Sequence, residues 1–233
     1  MNLINGFLSL FYPTQCSNCL RYIKDFRFLY VCPDCFSCIK KISGNVCPTC
    51  SKPLGSLYAE ECLECFNYKK KFTQVKQAGI YEGALKELIH QLKFYGKRKI
   101  ADLLFKFIIE NIEQEYFDWP DVIIPVPLSK KVLKKRGFNQ TEIIGKKIAI
   151  HCNKPFFNVI KKIKETLPQN KLGREERLKN LNGAFKTETF FKDKKILIID
   201  DVYTTGATMN EVSRVILEKG AVEVRGLAIA RAV

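Results

Sequence analysis

Hydrophobic residues take up helical spacing between Gly83 and Leu92, where Leu85, Leu88, Ile89 and Leu92 mark one face. A second helix is predicted up to about Tyr116, with Ile100, Leu103, Leu104, Phe107, Ile108 and Ile112 on its apolar side, until Trp119-Pro120 breaks it. Uninterrupted apolar runs then alternate with amphipathic stretches. Val122–Val126 reads as a buried strand, Pro127–Arg136 as a loop, and about Asn139–His151 as a helix. A short strand at Val159-Ile160 and a long polar segment over 164–182 follow. Strand 195–199, helix 208–219 and strand 223–230 complete the pattern, and residues 75–81 supply one earlier strand. Strands that alternate with helices predict an α/β fold with a doubly wound parallel sheet. The expected organisation is a small module over 1–66, a polar linker over 67–75 and the α/β domain over 76–233.

The run Ile196-Leu197-Ile198-Ile199 ends in two adjacent carboxylates, Asp200 and Asp201. Open α/β sheets bind their ligands at the carboxyl ends of such strands. A turn of small residues follows, Thr204-Thr205-Gly206-Ala207-Thr208. Backbone N–H groups of a turn of this kind, backed by a helix N-terminus, can cradle a phosphate. Carboxylates beside a phosphate cradle suit a ligand with hydroxyls and a phosphate, a sugar phosphate being the obvious class. Lys195 to Thr208 resembles the phosphoribosyl-pyrophosphate (PRPP) motif of type I phosphoribosyltransferases. The resemblance implies that Asp200 and Asp201 hold the ribose hydroxyls and act near the reacting carbon. It also implies that Thr204, Thr205, Gly206, Ala207 and Thr208 hold the 5-phosphate, and that Mg²⁺ accompanies PRPP.

Nine of the ten cysteines precede residue 66. They form Cys16-x-x-Cys19 with Cys32-x-x-Cys35, then Cys47-x-x-Cys50 with Cys62-x-x-Cys65, an internal repeat of about thirty residues. Four thiolates around one ion match a structural zinc site. The expected arrangement is two zinc ribbons in sequence, each with one Zn²⁺, with a cross-braced pairing as the alternative. Cys38 extends the first half with another CxxC and could replace Cys32 or Cys35, whereas Cys152 reads as a buried thiol.

The formal charge is +15. Residues 1–75 hold nine Lys/Arg against five Asp/Glu, but residues 128–195 hold nineteen against six. Positive charge is therefore concentrated around the phosphate turn, and the cluster Lys130, Lys131, Lys134, Lys135 and Arg136 exceeds the need of one small ligand. A polyanion such as nucleic acid is a reasonable second ligand, and lysine-rich solvated faces are the plainer reading. Apolar runs are too short to cross a bilayer, and Leu3–Phe11 lacks the basic start and small-residue cleavage site of a signal peptide. A cytoplasmic location is expected.

Ile124-Pro-Val-Pro-Leu128 and Arg136-Gly-Phe-Asn-Gln140 add a further signature, Asn139 being the candidate helix cap. Together with the cysteine repeat, the PRPP motif and the segment from Gln169 through Arg177 to Asn180, they resemble the ComF family of competence-associated phosphoribosyltransferase-like proteins. The resemblance implies a type I phosphoribosyltransferase-like sheet behind a double zinc ribbon, and a role in DNA uptake during natural transformation. By position, Lys130, Lys131 and Arg136 would meet pyrophosphate, and Gln169 and Arg177 would belong to a closing loop. Two functions follow. One is a PRPP-binding protein that handles single-stranded DNA, with Lys134, Lys135 and Arg136 on phosphates, with Phe94, Tyr95 and Phe138 stacked on bases, and with other competence proteins as partners. The other is an enzyme that moves ribose 5-phosphate from PRPP to an acceptor.

Overall fold

The computed structural model describes residues 15–23, 30–55, 60–164 and 181–232. In chain order, two short helices, α1 (Pro33–Ser37) and α2 (Leu63–Asn67), precede strand β1 (Gln74–Ile80). Helices α3 (Gly83–Tyr95), α4 (Ile100–Asn111) and α5 (Gln114–Asp118) lead to β2 (Val122–Pro125). Next come α6 (Lys130–Arg136), α7 (Gln140–His151), β3 (Lys161–Lys162), β4 (Phe185–Lys186), β5 (Lys195–Tyr203), α8 (Ala207–Leu217) and β6 (Glu223–Arg231). Strands β1, β6, β5 and β2 lie side by side in that order, all parallel, and β3 pairs with β4 antiparallel in a separate two-stranded sheet.

The sheet is buried on both faces, which is why its strands read as continuous apolar runs rather than alternating ones. Ile196, Leu197, Ile198 and Ile199 are all buried, each contributing roughly 1.5–3 kcal/mol. Leu197 and Ile199 join one core with α3, α4 and α7, whereas Ile196 and Ile198 join a second core with α8 and Phe185. Each cysteine group belongs to a different core: Cys16, Cys32 and Cys35 to the first, and Cys47, Cys50, Cys62 and Cys65 to the second. The cysteine module therefore straddles the sheet at the β1 edge. The Ile80 amide donates to the Lys40 carbonyl at 2.8 Å, and the Val75 amide to that of Thr49 at 2.8 Å. Those contacts cover backbone that an edge strand would otherwise expose.

Several element boundaries differ from the expectations. The loop expected over 127–136 holds α6, because the Ser129 side chain caps it by accepting the Val132 amide, and Gly137 ends it at φ 77°. The helix expected to reach Tyr116 is two helices, separated at Ile112 and Glu113. The short strand expected at Val159-Ile160 begins at Lys161. Strand β5 runs to Tyr203, so the acid pair stands within the strand rather than after it.

Candidate functional site

The turn at the end of β5 is shaped by one glycine. Gly206 has φ 75°, and a Cβ there would stand 2.7 Å from Tyr203 Cζ and 2.9 Å from Cε2. Tyr203 cannot easily give way: it is buried, Phe72 packs edge-on at 6.4 Å, and the Arg231 guanidinium lies 5.1 Å over its ring. The chain reverses tightly on this ring and enters α8 at Ala207, with the Ala207 amide donating to Thr205 Oγ1 at 3.4 Å. Opening amides of a helix lack intrahelical acceptors, so this corner offers donors to an anion.

Because β5 continues through the acids, pleating sends their side chains to opposite sides. Asp201 is buried toward α3 and α7. Its Oδ1 accepts from Lys93 Nζ at 2.6 Å, and its Oδ2 from Gln140 Nε2. Gln140 in turn accepts a hydrogen bond from Arg136. Asp200 is half-buried and accepts the Asp201 amide at 2.8 Å. Burial first, and then the Asp201 charge, push its carboxyl up to about 7.

A cleft of about 430 Å³ opens over these groups. Its lining includes Asp200, Asp201, Thr204 and Thr208 from the expected PRPP residues, and Lys93, Arg136 and Lys162 as cations. Burial holds Arg136 below the usual guanidinium range. Lys130 lines a neighbouring cleft of about 620 Å³ with Lys161, Lys162 and Lys164. Lys131, Lys134 and Lys135 are exposed on α6, and Lys131 is not among the residues lining either cleft. Gln169, Arg177 and Asn180 lie outside the described residues. Phe94 and Tyr95 are 64% and 61% exposed, but Phe138 is only 9% exposed and packs in the core with Arg98 at 4.8 Å from its ring centre. The Phe138 ring is therefore not offered to a base, which corrects one expected contact.

The Arg-Gly-Phe-Asn-Gln segment joins two strand ends. Asn139 caps α7 and donates to the Val126 carbonyl at 3.0 Å, and Thr141 Oγ1 donates to the same carbonyl at 2.7 Å. Sequence reasoning had no grip on Lys93 or Gln140 as cleft residues. Lys93 occupies the polar side of α3 and reaches the cleft only through the packing of that helix, whereas Gln140 could have been suspected from its place in the diagnostic segment.

The cysteines form the sequential pairing. Cys16, Cys19, Cys32 and Cys35 make one group, and Cys47, Cys50, Cys62 and Cys65 the other, with all thiols in each group within 4.8 Å. Either group could hold a metal ion, and four sulfurs suit zinc. Cys38 is exposed and outside both groups. The repeat extends to the backbone, since the Leu20 and Ser51 amides each donate to the carbonyl four residues earlier, Cys16 and Cys47. Hydrogen bonding from Arg21 pulls the Cys19 thiol down to about 6, and that from Cys65 pulls Cys50 down to about 5, with Arg231 adding its charge. Arg231 is buried, and its Nη1 donates to the Cys50 carbonyl at 2.7 Å. It thus joins the second cysteine group to the ring beneath Gly206.

The phosphoribosyl transferase domain family matches residues 95–232. Competence protein F of Haemophilus influenzae is 30% identical over 207 residues, covering 85% of this chain and 90% of that protein. This chain belongs to the ComF family. Competence protein ComFC of Bacillus subtilis is 30% identical over 197 residues, covering 82% of the ComF-family chain and 79% of its relative. The DNA utilization protein YhgH of Shigella flexneri is 28% identical over 207 residues, 86% and 90% of the two chains. Together, the ComF-family chain combines a phosphoribosyltransferase-type parallel sheet with two four-cysteine groups. No helix among the described residues is long and apolar enough to cross a membrane.

Proposed function

We propose that this ComF-family protein binds PRPP with Mg²⁺ and handles single-stranded DNA in competence. The observation that carries the ligand is the junction of Asp200, the Gly206 turn and three cationic side chains around one cleft. Asp200 would accept a ribose hydroxyl, the amides and hydroxyls of 204–208 would take the 5-phosphate, and Arg136 would face the pyrophosphate. Mg²⁺, when bound with PRPP, would neutralise phosphate charge; Asp200 is the acid open to it. Zn²⁺ in the two thiol groups would fix the module that clasps the β1 edge.

The DNA reading is supported by the exposed Lys130, Lys131, Lys134 and Lys135 on α6, by the exposed rings of Phe94 and Tyr95, and by the Arg136 guanidinium at the end of α6, which lies 5.5 Å over the Phe94 ring. Names such as competence protein F and DNA utilization protein among the relatives point the same way. Phosphates would follow the lysines while bases stack on the two rings. A second reading, phosphoribosyl transfer, is favoured by cations and a carboxylate on the same cleft, an arrangement suited to a departing anion beside a positive ribose.

Titration calorimetry with PRPP and Mg²⁺ tests the ligand: wild type should bind, and Asp200→Ala should lose at least tenfold in affinity. Wild type that ignores PRPP overturns the reading. Single-strand affinity should fall steeply with salt, and Lys134→Glu with Lys135→Glu should weaken it and flatten the salt slope. Salt-insensitive binding would remove the DNA role. Pyrophosphate release from PRPP with a base or nucleotide acceptor would establish turnover.

A further inference from the structure

Lys93 is a cleft cation engaged directly with the acid pair. Its ammonium lies 2.6 Å from Asp201 Oδ1, and the two side chains are only 17% and 10% exposed. Gln140 donates to Asp201 Oδ2, and the Asp201 amide to Asp200 Oδ1. Three of the four carboxylate oxygens therefore already receive a donor from the protein itself. Gln140 is held in turn by Arg136, so cations from α3 and α6 both converge on Asp201, one directly and one through an amide. Lys162 also lines the cleft.

A free divalent cation meeting this pair finds one open carboxylate oxygen and three positive side chains. Mg²⁺ is usually bound through one or two carboxylates together with substrate phosphates, and keeps several waters. Without phosphates, the charge of the acid pair is already answered by Lys93 directly and by Arg136 through Gln140, which leaves little to attract a divalent cation. An anionic phosphosugar reverses the balance, because its phosphates engage the cations and contribute their own oxygens.

We propose that Lys93 closes the acid pair to free divalent cations, so that metal enters this cleft only together with an anionic phosphosugar. The proposal rests on the cleft being the phosphosugar site. Lys93 lies on α3, just outside the matched range 95–232, so the requirement is set by a helix that packs on the sheet rather than by the PRPP motif itself. Lys93 is here a positioning and selecting residue, acting through Asp201.

The test is Mn²⁺ uptake by the full, zinc-loaded chain, read by electron paramagnetic resonance with and without PRPP. Wild type and Lys93→Arg should leave Mn²⁺ free until PRPP is added. Lys93→Met and Lys93→Gln should take up Mn²⁺ without PRPP, on the order of tenfold or more tighter than wild type. Adding Asp200→Asn to either should abolish that uptake. Wild type that takes up Mn²⁺ alone, and loses it on Asp200→Asn, overturns the proposal even if neither Lys93 variant folds. Folded Lys93→Met or Lys93→Gln with no gain overturns it too. If PRPP binds wild type and metal-alone uptake is equal in all chains, only the proposal fails. If wild type takes neither PRPP nor its Mn²⁺ complex, the phosphosugar reading fails first and the proposal with it.

Discussion

Replacing Gly206 by alanine tests the geometry of the phosphate turn most directly. Two costs add at this position. An L-residue at φ 75° sits in the left-handed region, at roughly 1–2 kcal/mol. The new methyl would also stand 2.7 Å from Tyr203 Cζ, and forcing a packed core apart costs about 1–3 kcal/mol. The sum is about 2–5 kcal/mol, which for a chain of this size lowers the melting temperature by roughly 5–15 °C. Gly137 provides the control, since it has φ 77° but nothing within 4 Å of where a Cβ would stand. Gly137→Ala should therefore show the backbone cost alone, about 1–2 kcal/mol. Differential scanning calorimetry of the two variants separates the terms. Adding Tyr203→Phe removes the phenolic oxygen, the atom nearest the new methyl, and should restore part of the loss with a coupling of about 0.5–3 kcal/mol. Gly206→Ala should also lose PRPP binding, because the turn must open to admit the methyl. If it melts with Gly137→Ala and binds PRPP as wild type does, the turn is not held against Tyr203 and the reasoning fails.

Two other outcomes follow from the same contacts. The Asp200 carboxyl sits at about 7 in the fold against about 4 in the unfolded chain. The folded state holds this proton more tightly, so its contribution is complete below about pH 4 and is lost as the pH rises to about 7. Melting temperature against pH for the ligand-free protein should show that decline, and Asp200→Asn should flatten it. Elemental analysis should give two zinc equivalents per chain, and one after Cys47→Ser with Cys62→Ser. Arg231→Met should speed metal release to a chromogenic chelator from the second thiol group by roughly tenfold, while leaving release from the first group unchanged.

Much of this molecule was legible along its sequence because its signals are local. The CxxC repeat, the four-residue apolar run and the Thr-Thr-Gly turn each lie within a few residues of one another, and each produced the element or grouping it announced. The α6 helix escaped because it buries none of its residues and so shows no apolar stripe, whereas Ser129 and Gly137 provide both its ends. The acid pair was legible as a pair but not as two different groups. That difference arises from the pleat of β5, and from Lys93, 108 residues earlier in the chain. Phe138 was misjudged as a stacking surface because an aromatic in a polar, glycine-containing segment resembles an exposed one; burial in the first core beneath the Arg98 guanidinium decides otherwise. Arg231 carried no signal at all, since its meaning depends on the second cysteine group lying under the same sheet edge.

The strand order bears on biogenesis. β6, the last strand in chain order, lies between β1 and β5, so β1 has no neighbour in the sheet until residues 223–231 arrive. On a ribosome, the metal-binding half can fold around its ions while the strand it clasps waits for a partner made some 150 residues later. Metal supply during synthesis, and protection of that waiting strand, should therefore decide how much of the newly made chain reaches its native state.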